Sequence, residues 1–341
     1  MIIHANKIAS VAKNVPIKKN NIHINRNKII SKSGNLLAVE AMNRKRIYNQ
    51  IELKNGRSAV INKKDVIIVA LGNRRALKGF AGKVPRKIKA GDIINILNFG
   101  GVAGICTSSN RYEVGNPLKV KVLGAVIDDK NKPINIYNYR IFEPAKKINS
   151  NIPIIIVTGT CMNVGKTTVA CEIIKEANKK GLRVACAKIA GIAAIKDTLQ
   201  MRDSGAIKVI SMIDAGQTST ILSPQKNIEI TKGAINYLQK FSPDIILFEL
   251  GDGILGEYKV LDMISEPEIK KHIKWHVTCA NDPPGALKIF EISKKINLPA
   301  NIISGPITDN EVGLSFIKKN LKITGINSLS NGDKLLNHLL K

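Results

Sequence analysis

Residues 152–168 read IPIIIVTGTCMNVGKTT, an apolar run that enters a glycine-containing loop and leaves it through Gly165, Lys166, Thr167 and Thr168. An apolar run without alternation marks a strand buried on both faces, and so a parallel sheet covered by helices. The loop narrows the chemistry further. Backbone N–H groups at a helix N-terminus point at an anion, and the helix dipole favours negative charge there. Gly165 lets the backbone come close, Lys166 supplies a mobile cation, and Thr167 offers a hydroxyl to Mg2+. The stretch Gly159, Thr160, Cys161, Met162, Asn163, Val164, Gly165, Lys166, Thr167 and Thr168 is therefore the expected seat of a nucleotide's phosphates with Mg2+, and without an NKxD motif these residues leave ATP and GTP both open. The spacing departs from the common Gly-x-x-x-x-Gly-Lys-Ser/Thr pattern. Five residues before Gly165 stands Thr160, and the glycine is one earlier, at Gly159.

The rest of the second half repeats strand and helix. RVACAKIAG (183–191), KVISMI (208–213), DIILFEL (244–250), KWHVTCA (274–280) and ANIISG (300–305) read as strands. Helical stretches fall at 165–180, 229–240, 284–295 and 309–319, the first closed by Lys179, Lys180 and Gly181. Repeated strand–helix units imply a parallel sheet with helices on both faces, and ligands of such sheets sit at the carboxyl ends of the strands.

The form GTCMNVGKT (159–167) resembles dethiobiotin synthetase and its relatives, among them the cobyrinic acid synthases, within the MinD-related class of P-loop proteins. In that class a lysine ends the second strand and reaches substrate and phosphates; Lys188 stands at the matching place. An aspartate a little further on joins the metal and phosphate site, which Asp197 or Asp203 would match. A glutamate ending a later apolar strand binds Mg2+, and DIILFELGDG supplies Glu249, with Leu250 where the class has glycine. The resemblance thus implies Lys166 and Lys188 as catalytic cations and Thr167, Asp197 and Glu249 as metal ligands. The region is also similar to the P-loop half of a poorly characterised family linked to D-glutamate derivatives.

The first half has another grammar. SAVI (58–61), DVIIVAL (65–71), DIINILN (92–98), LKVKVLGAVI (118–127) and INIYNYRIF (134–142) are short apolar runs between turns, with Gly100, Gly101 and Gly104 among the loop glycines. Residues 35–47 are the one stretch with a helical look. These features predict a mainly β domain, a small barrel or sandwich, over 1–148 and a P-loop domain over 149–341, with KKINSNIP (146–153) as linker. The fold class is α/β, a parallel-sheet domain preceded by a smaller β domain.

Charge is uneven. Residues 1–150 hold 29 Lys/Arg against 8 Asp/Glu, net +21, while residues 151–341 hold 24 against 18, net +6. Abundant Lys, Asn and Ile fit AT-rich coding, but uniform coding bias would not give that asymmetry. Aromatic residues are only 4% of the chain, too few for base-stacking platforms, so nucleic acid is not an expected partner. The expected partners are a small anionic substrate and a second copy of the chain. Five cysteines without a CxxC pair argue against a disulfide scaffold or a zinc ribbon. No apolar run reaches the ~18–20 residues of a membrane helix, and the N-terminus lacks a signal-peptide pattern, so a cytoplasmic location is expected.

Other groups carry weaker signals. DAGQTST (214–220) suits a switch or substrate loop, and NDPPGALK (281–288) a helix start beside the base, but each also fits a plain polar turn or cap. Cys161 sits inside the phosphate loop with no base to activate it. His272 and His276 lack the HExxH context of a zinc site. MNRKRIY (42–48), LGNRRALKGF (71–80) and KVPRK (83–87) gather arginines, whose forks suit carboxylate or phosphate. The favoured function is an ATP-dependent ligase or synthetase that phosphorylates a small carboxylate or carbamate. The alternatives are a nucleotide-driven switch or chaperone, and an acyltransferase whose loop holds a phosphate-bearing donor.

Overall fold

A computed structural model describes residues 1–17 and 20–341. The chain forms two compact units. One holds Met1–Ile141 with the segments Ile192–Lys196 and Met212–Ile221, and the other holds the remainder, Phe142–Gly191, Asp197–Ser211 and Leu222–Lys341.

The first unit is built on a closed ring of strands. Leu118–Val126 pairs with Leu36–Ala41, which pairs with Val66–Leu71. Val66–Leu71 pairs in parallel with Val102–Ser109; that strand pairs with Ile93–Ile96, and Ile93–Ile96 pairs back to Leu118–Val126. The barrel reading of the sequence is therefore the right one of the two, and one face of the ring is lined by the buried residues Leu37, Val69, Ala103 and Val120. Closure removes the open edges that short strands would otherwise expose. Two segments depart from expectation. Residues 36–41 (LLAVEA) are a strand and not a helix, because both neighbours in the ring offer ladder partners and every side chain but Glu40 is buried. Residues 136–139 form a 3-10 turn and not a strand, initiated by Asn135, whose side chain accepts from the Tyr137 N–H.

The two inserted segments are held within the first unit. Ile192 bridges Ser219, the Ala193 N–H donates to Thr218 O, and Asn98 donates to Ala193 O at 2.6 Å.

The second unit is a seven-stranded sheet in the order Lys208–Ser211, Val184–Ala190, Ile245–Leu250, Ile154–Gly159, Ile273–Cys279, Ile302–Ser304 and Thr324–Gly325. Every pairing is parallel. This is the architecture of a P-loop domain, with Ile154–Gly159 at the centre and all six of its residues buried. The helix Lys166–Lys179 lays Val169, Ile173, Ile174 and Ala177 into the core. Residues 146–150 are tied to this unit, since the Ile148 N–H donates to Glu268 and the Asn149 N–H to Asn236. Among the described residues no helix is long and apolar enough to cross a membrane.

Candidate functional site

The site begins where the central strand ends. Gly159 is the strand's last residue, and Gly165 caps the following helix at φ 87°, a left-handed conformation that glycine adopts without cost. Asn163 also has positive φ, at 60°. The turn is tight: a Cβ on Gly159 would lie 2.7 Å from the Val164 side chain, so a larger residue would push the loop outward. The departure from the common spacing thus leaves an intact strand–loop–helix. Gly253 packs from the side, its missing Cβ falling 2.2 Å from Thr160 O.

Lys166 lies inside this loop. It is 6% exposed, and its Nζ donates to Cys161 O at 2.6 Å. Burial pushes its pKa down, and the Glu249 carboxylate pulls it part of the way back.

The neighbouring strand ends supply a charged chain. Lys188 and Glu249 face each other in register on adjacent parallel strands. Lys188 Nζ donates to Glu249 Oε1 at 3.0 Å and to Asp197 Oδ2. Thr167 Oγ1 donates to the same Glu249 Oε1 at 3.0 Å. Glu249 is 1% exposed, yet its Oε2 is buried with no hydrogen-bond partner. A buried carboxylate oxygen without a donor is costly, and it suits a hard cation. Leu250 continues the strand after Glu249 and leaves the carboxylate beside Thr167.

The structure therefore brings Lys166, Thr167, Lys188, Asp197 and Glu249 together. Asp203 is not among them; it closes the helix Lys196–Asp203 and lies in the electrostatic neighbourhood of Cys171. DAGQTST belongs to the barrel unit, where Asp214 pairs with Lys13 at 2.7 Å and Thr218, Ser219 and Thr220 are buried. In NDPPGALK, Asp282 caps the helix Pro283–Lys295 by accepting from Gly285 N. Cys161 Sγ donates to Met162 O.

Two supports escaped sequence reasoning. Gly305 has φ 90° and packs on the loop, where a Cβ would meet Val164 O at 2.6 Å. Its only signal is a glycine after a strand. The other is a buried polar ladder under the loop. His276 is 1% exposed; its Nδ1 lies 3.1 Å from Leu298 O and its Nε2 2.7 Å from Thr158 Oγ1, which is 3.0 Å from Thr278 Oγ1. The Nδ1–H donates to the Leu298 carbonyl, and burial of the ring favours its neutral form. His272 is elsewhere, its ring nitrogens against Glu268 O and Ser150 O.

Burial pushes the His276 pKa down to about 4. An unfolded chain protonates the ring near pH ~6.5. The stability held by the neutral ring is thus complete above pH ~6.5 and is lost as pH falls toward ~4. Between pH ~7.5 and ~5 this group alone is expected to lower the unfolding free energy by about 2 kcal/mol. Urea unfolding at the two pH values measures it. An equal drop in His276→Gln would assign the effect to other groups.

No family model matches the chain, and no curated protein matches it. Among solved structures, a DUF1611 family protein from Anabaena variabilis is 14% identical, over 57% of this chain and 60% of that one, with a TM-score of 0.40. The signal recognition particle receptor FtsY from Elizabethkingia anophelis is 12% identical, over 62% of this chain and 76% of that one, with a TM-score of 0.39. A nucleotide-binding protein from Archaeoglobus fulgidus, in complex with ADP, is 14% identical over 56% of this chain and 90% of that one, with a TM-score of 0.38. This chain spans only 60% of the length of the first of these.

Proposed function

We propose that the second unit binds a nucleoside triphosphate, ATP in the first instance, and transfers its terminal phosphoryl group to a small anionic acid. The observation that carries the reading is Glu249, a buried carboxylate shared by Thr167 and Lys188 with one oxygen left unpartnered. Its place at a strand's carboxyl end, next to the first turn of the phosphate-loop helix, is where ligands of parallel sheets collect.

Each residue then has a task. The loop's N–H groups and Lys166 receive the phosphates. Thr167 and Glu249 would hold Mg2+, which when bound neutralises phosphate charge and orients the transferred group. Among the described residues no group of three or more His, Cys, Asp or Glu side chains is placed to hold a metal ion. Magnesium sites of nucleotide enzymes need no such cage, since one or two carboxylates, water and the nucleotide's phosphates complete them. Asp197 and Glu249 both pair with the Lys188 ammonium. Lys188 so held stabilises charge shared between phosphate and acceptor carboxylate, the preorganised form of electrostatic catalysis. Amide or cyclic urea formation by a second nucleophile follows from the dethiobiotin-synthetase-like form of GTCMNVGKT and would release phosphate.

The test is phosphate release from ATP against a panel of small carboxylic acids. Release stimulated by an acid supports the reading; hydrolysis indifferent to every acid favours a switch, and no hydrolysis an acyl-donor site. Glu249→Gln is expected to keep nucleotide affinity within several-fold while raising the Mg2+ concentration for half-maximal turnover by roughly tenfold or more. A Mg2+ titration of the variant checks this, and an unchanged midpoint would remove Glu249 from the cation site.

A further inference from the structure

The barrel unit holds a pair of cations that no carboxylate among the described residues pairs with. Arg74 is 3% exposed. Its Nη1 donates to Leu97 O and to the Tyr48 hydroxyl, the latter at 3.3 Å, and its Nε is buried with no acceptor. Lys45 stands close by. Its Nζ donates to Val114 O at 2.9 Å and lies 5.0 Å from the Phe80 ring centre, and the Arg74 guanidinium lies 5.9 Å from the same centre. Neither cation forms an ion pair among the described residues. Cys106 completes the group, within the electrostatic reach of both cations and packed on Phe80, Leu97 and Val114.

Two features mark this cluster as built. Tyr48 adopts φ 55°, an unusual conformation for a bulky aromatic residue. In that conformation its ring meets Phe80 edge to face at 5.6 Å, and its hydroxyl receives both Arg74 and the Phe99 N–H. A buried guanidinium with an unanswered donor costs free energy, and so does an ammonium drawn out of water. Desolvation shows on Lys45, whose pKa is lowered to about 8. An anion would offset both costs together.

We propose that Arg74 and Lys45 form a binding site for a small carboxylate, seated between the two cations and against the Tyr48 and Phe80 rings. The planar two-oxygen group matches the guanidinium fork. A single negative charge also loses less hydration than a phosphate dianion when it enters an aromatic-walled site. This site is distinct from the phosphate loop and stands whether or not the proposed phosphoryl transfer does.

Cys106 provides a reporter that needs no nucleotide. Its thiolate displaces iodide from iodoacetate or iodoacetamide; the S–C bond forms, the C–I bond breaks, iodide leaves, and the thiol proton goes to buffer. Peptide mass spectrometry separates Cys106 from the other cysteines. The two reagents differ in charge, so a carboxylate site beside the thiol favours iodoacetate. The rate ratio of iodoacetate to iodoacetamide at Cys106 is expected to exceed that of free glutathione by about tenfold, one charge-assisted hydrogen bond's worth. It should fall back toward the glutathione value in Lys45→Gln, and acetate or benzoate should protect Cys106 in the unaltered chain where inorganic phosphate does not. A glutathione-like ratio in the unaltered chain would overturn the proposal, as would a ratio unmoved by Lys45→Gln in a folded variant. Protection by phosphate alone would overturn the carboxylate assignment.

Discussion

Lys166→Met is expected to abolish measurable nucleotide binding in a chain that stays folded. The ammonium is buried against Cys161 O, and burial already pushes it toward the neutral form. Removing it takes away a desolvated charge that the fold itself does not need. The aliphatic stem matters more to the fold, because its Cδ lies 3.1 Å from where a Gly159 Cβ would be. Methionine keeps most of that stem, which makes it a better probe than alanine; Lys166→Ala should behave alike with a small added loss of packing. A hydrogen bond to a charged group is worth about 1.5–3 kcal/mol, so loss of one or two to phosphate oxygens weakens binding roughly 10²-fold or more. Calorimetry with ATP and Mg2+ reads the affinity, and urea unfolding reads the fold. A folded Lys166→Met chain with unchanged affinity would show that the loop is not the phosphate site.

The loop was legible in the sequence because its physics is local. A strand buried on both faces, a left-handed glycine and a helix start are written within residues 152–168. The parallel sheet followed from repetition of the same units. The strand at Leu36–Ala41 was not legible. Its leucines, alanines and glutamate are good helix formers, and only ladder partners more than twenty residues away decide for strand. The same non-locality hides the Lys188–Glu249 pair. Each residue could be placed at a strand end, but their opposition depends on the sheet order, which sets Val184–Ala190 beside Ile245–Leu250. Arg74 and Lys45 were visible as basic runs, indistinguishable in sequence from solvated surface charge. What sets them apart is burial against Phe80, supplied by the chain around residues 74–80 folding back as a short hairpin.

Lys188→Met is expected to lose roughly 10²-fold or more in turnover while nucleotide affinity stays within several-fold, the pattern of a charge used in the transition state. Its position between Asp197 and Glu249 adds a second consequence. Without the ammonium, Glu249 keeps only the Thr167 hydroxyl as a donor among the described residues and remains buried. Leaving one member of a buried pair uncompensated costs about 3 kcal/mol, discounted here because Lys188 and Asp197 retain some solvent contact. A loss of activity by unfolding and a loss by chemistry must therefore be told apart, and the pair itself provides the means. Glu249→Gln in the Lys188→Met background removes the stranded charge, so stability should recover while turnover does not. A lysine serving only to neutralise the carboxylate would give the opposite result at saturating Mg2+, with activity returning alongside stability. Near-normal turnover in Lys188→Met alone would count directly against phosphoryl transfer to a small acid. It would leave Lys166 and the loop as a nucleotide seat whose hydrolysis drives something other than activation of a carboxylate.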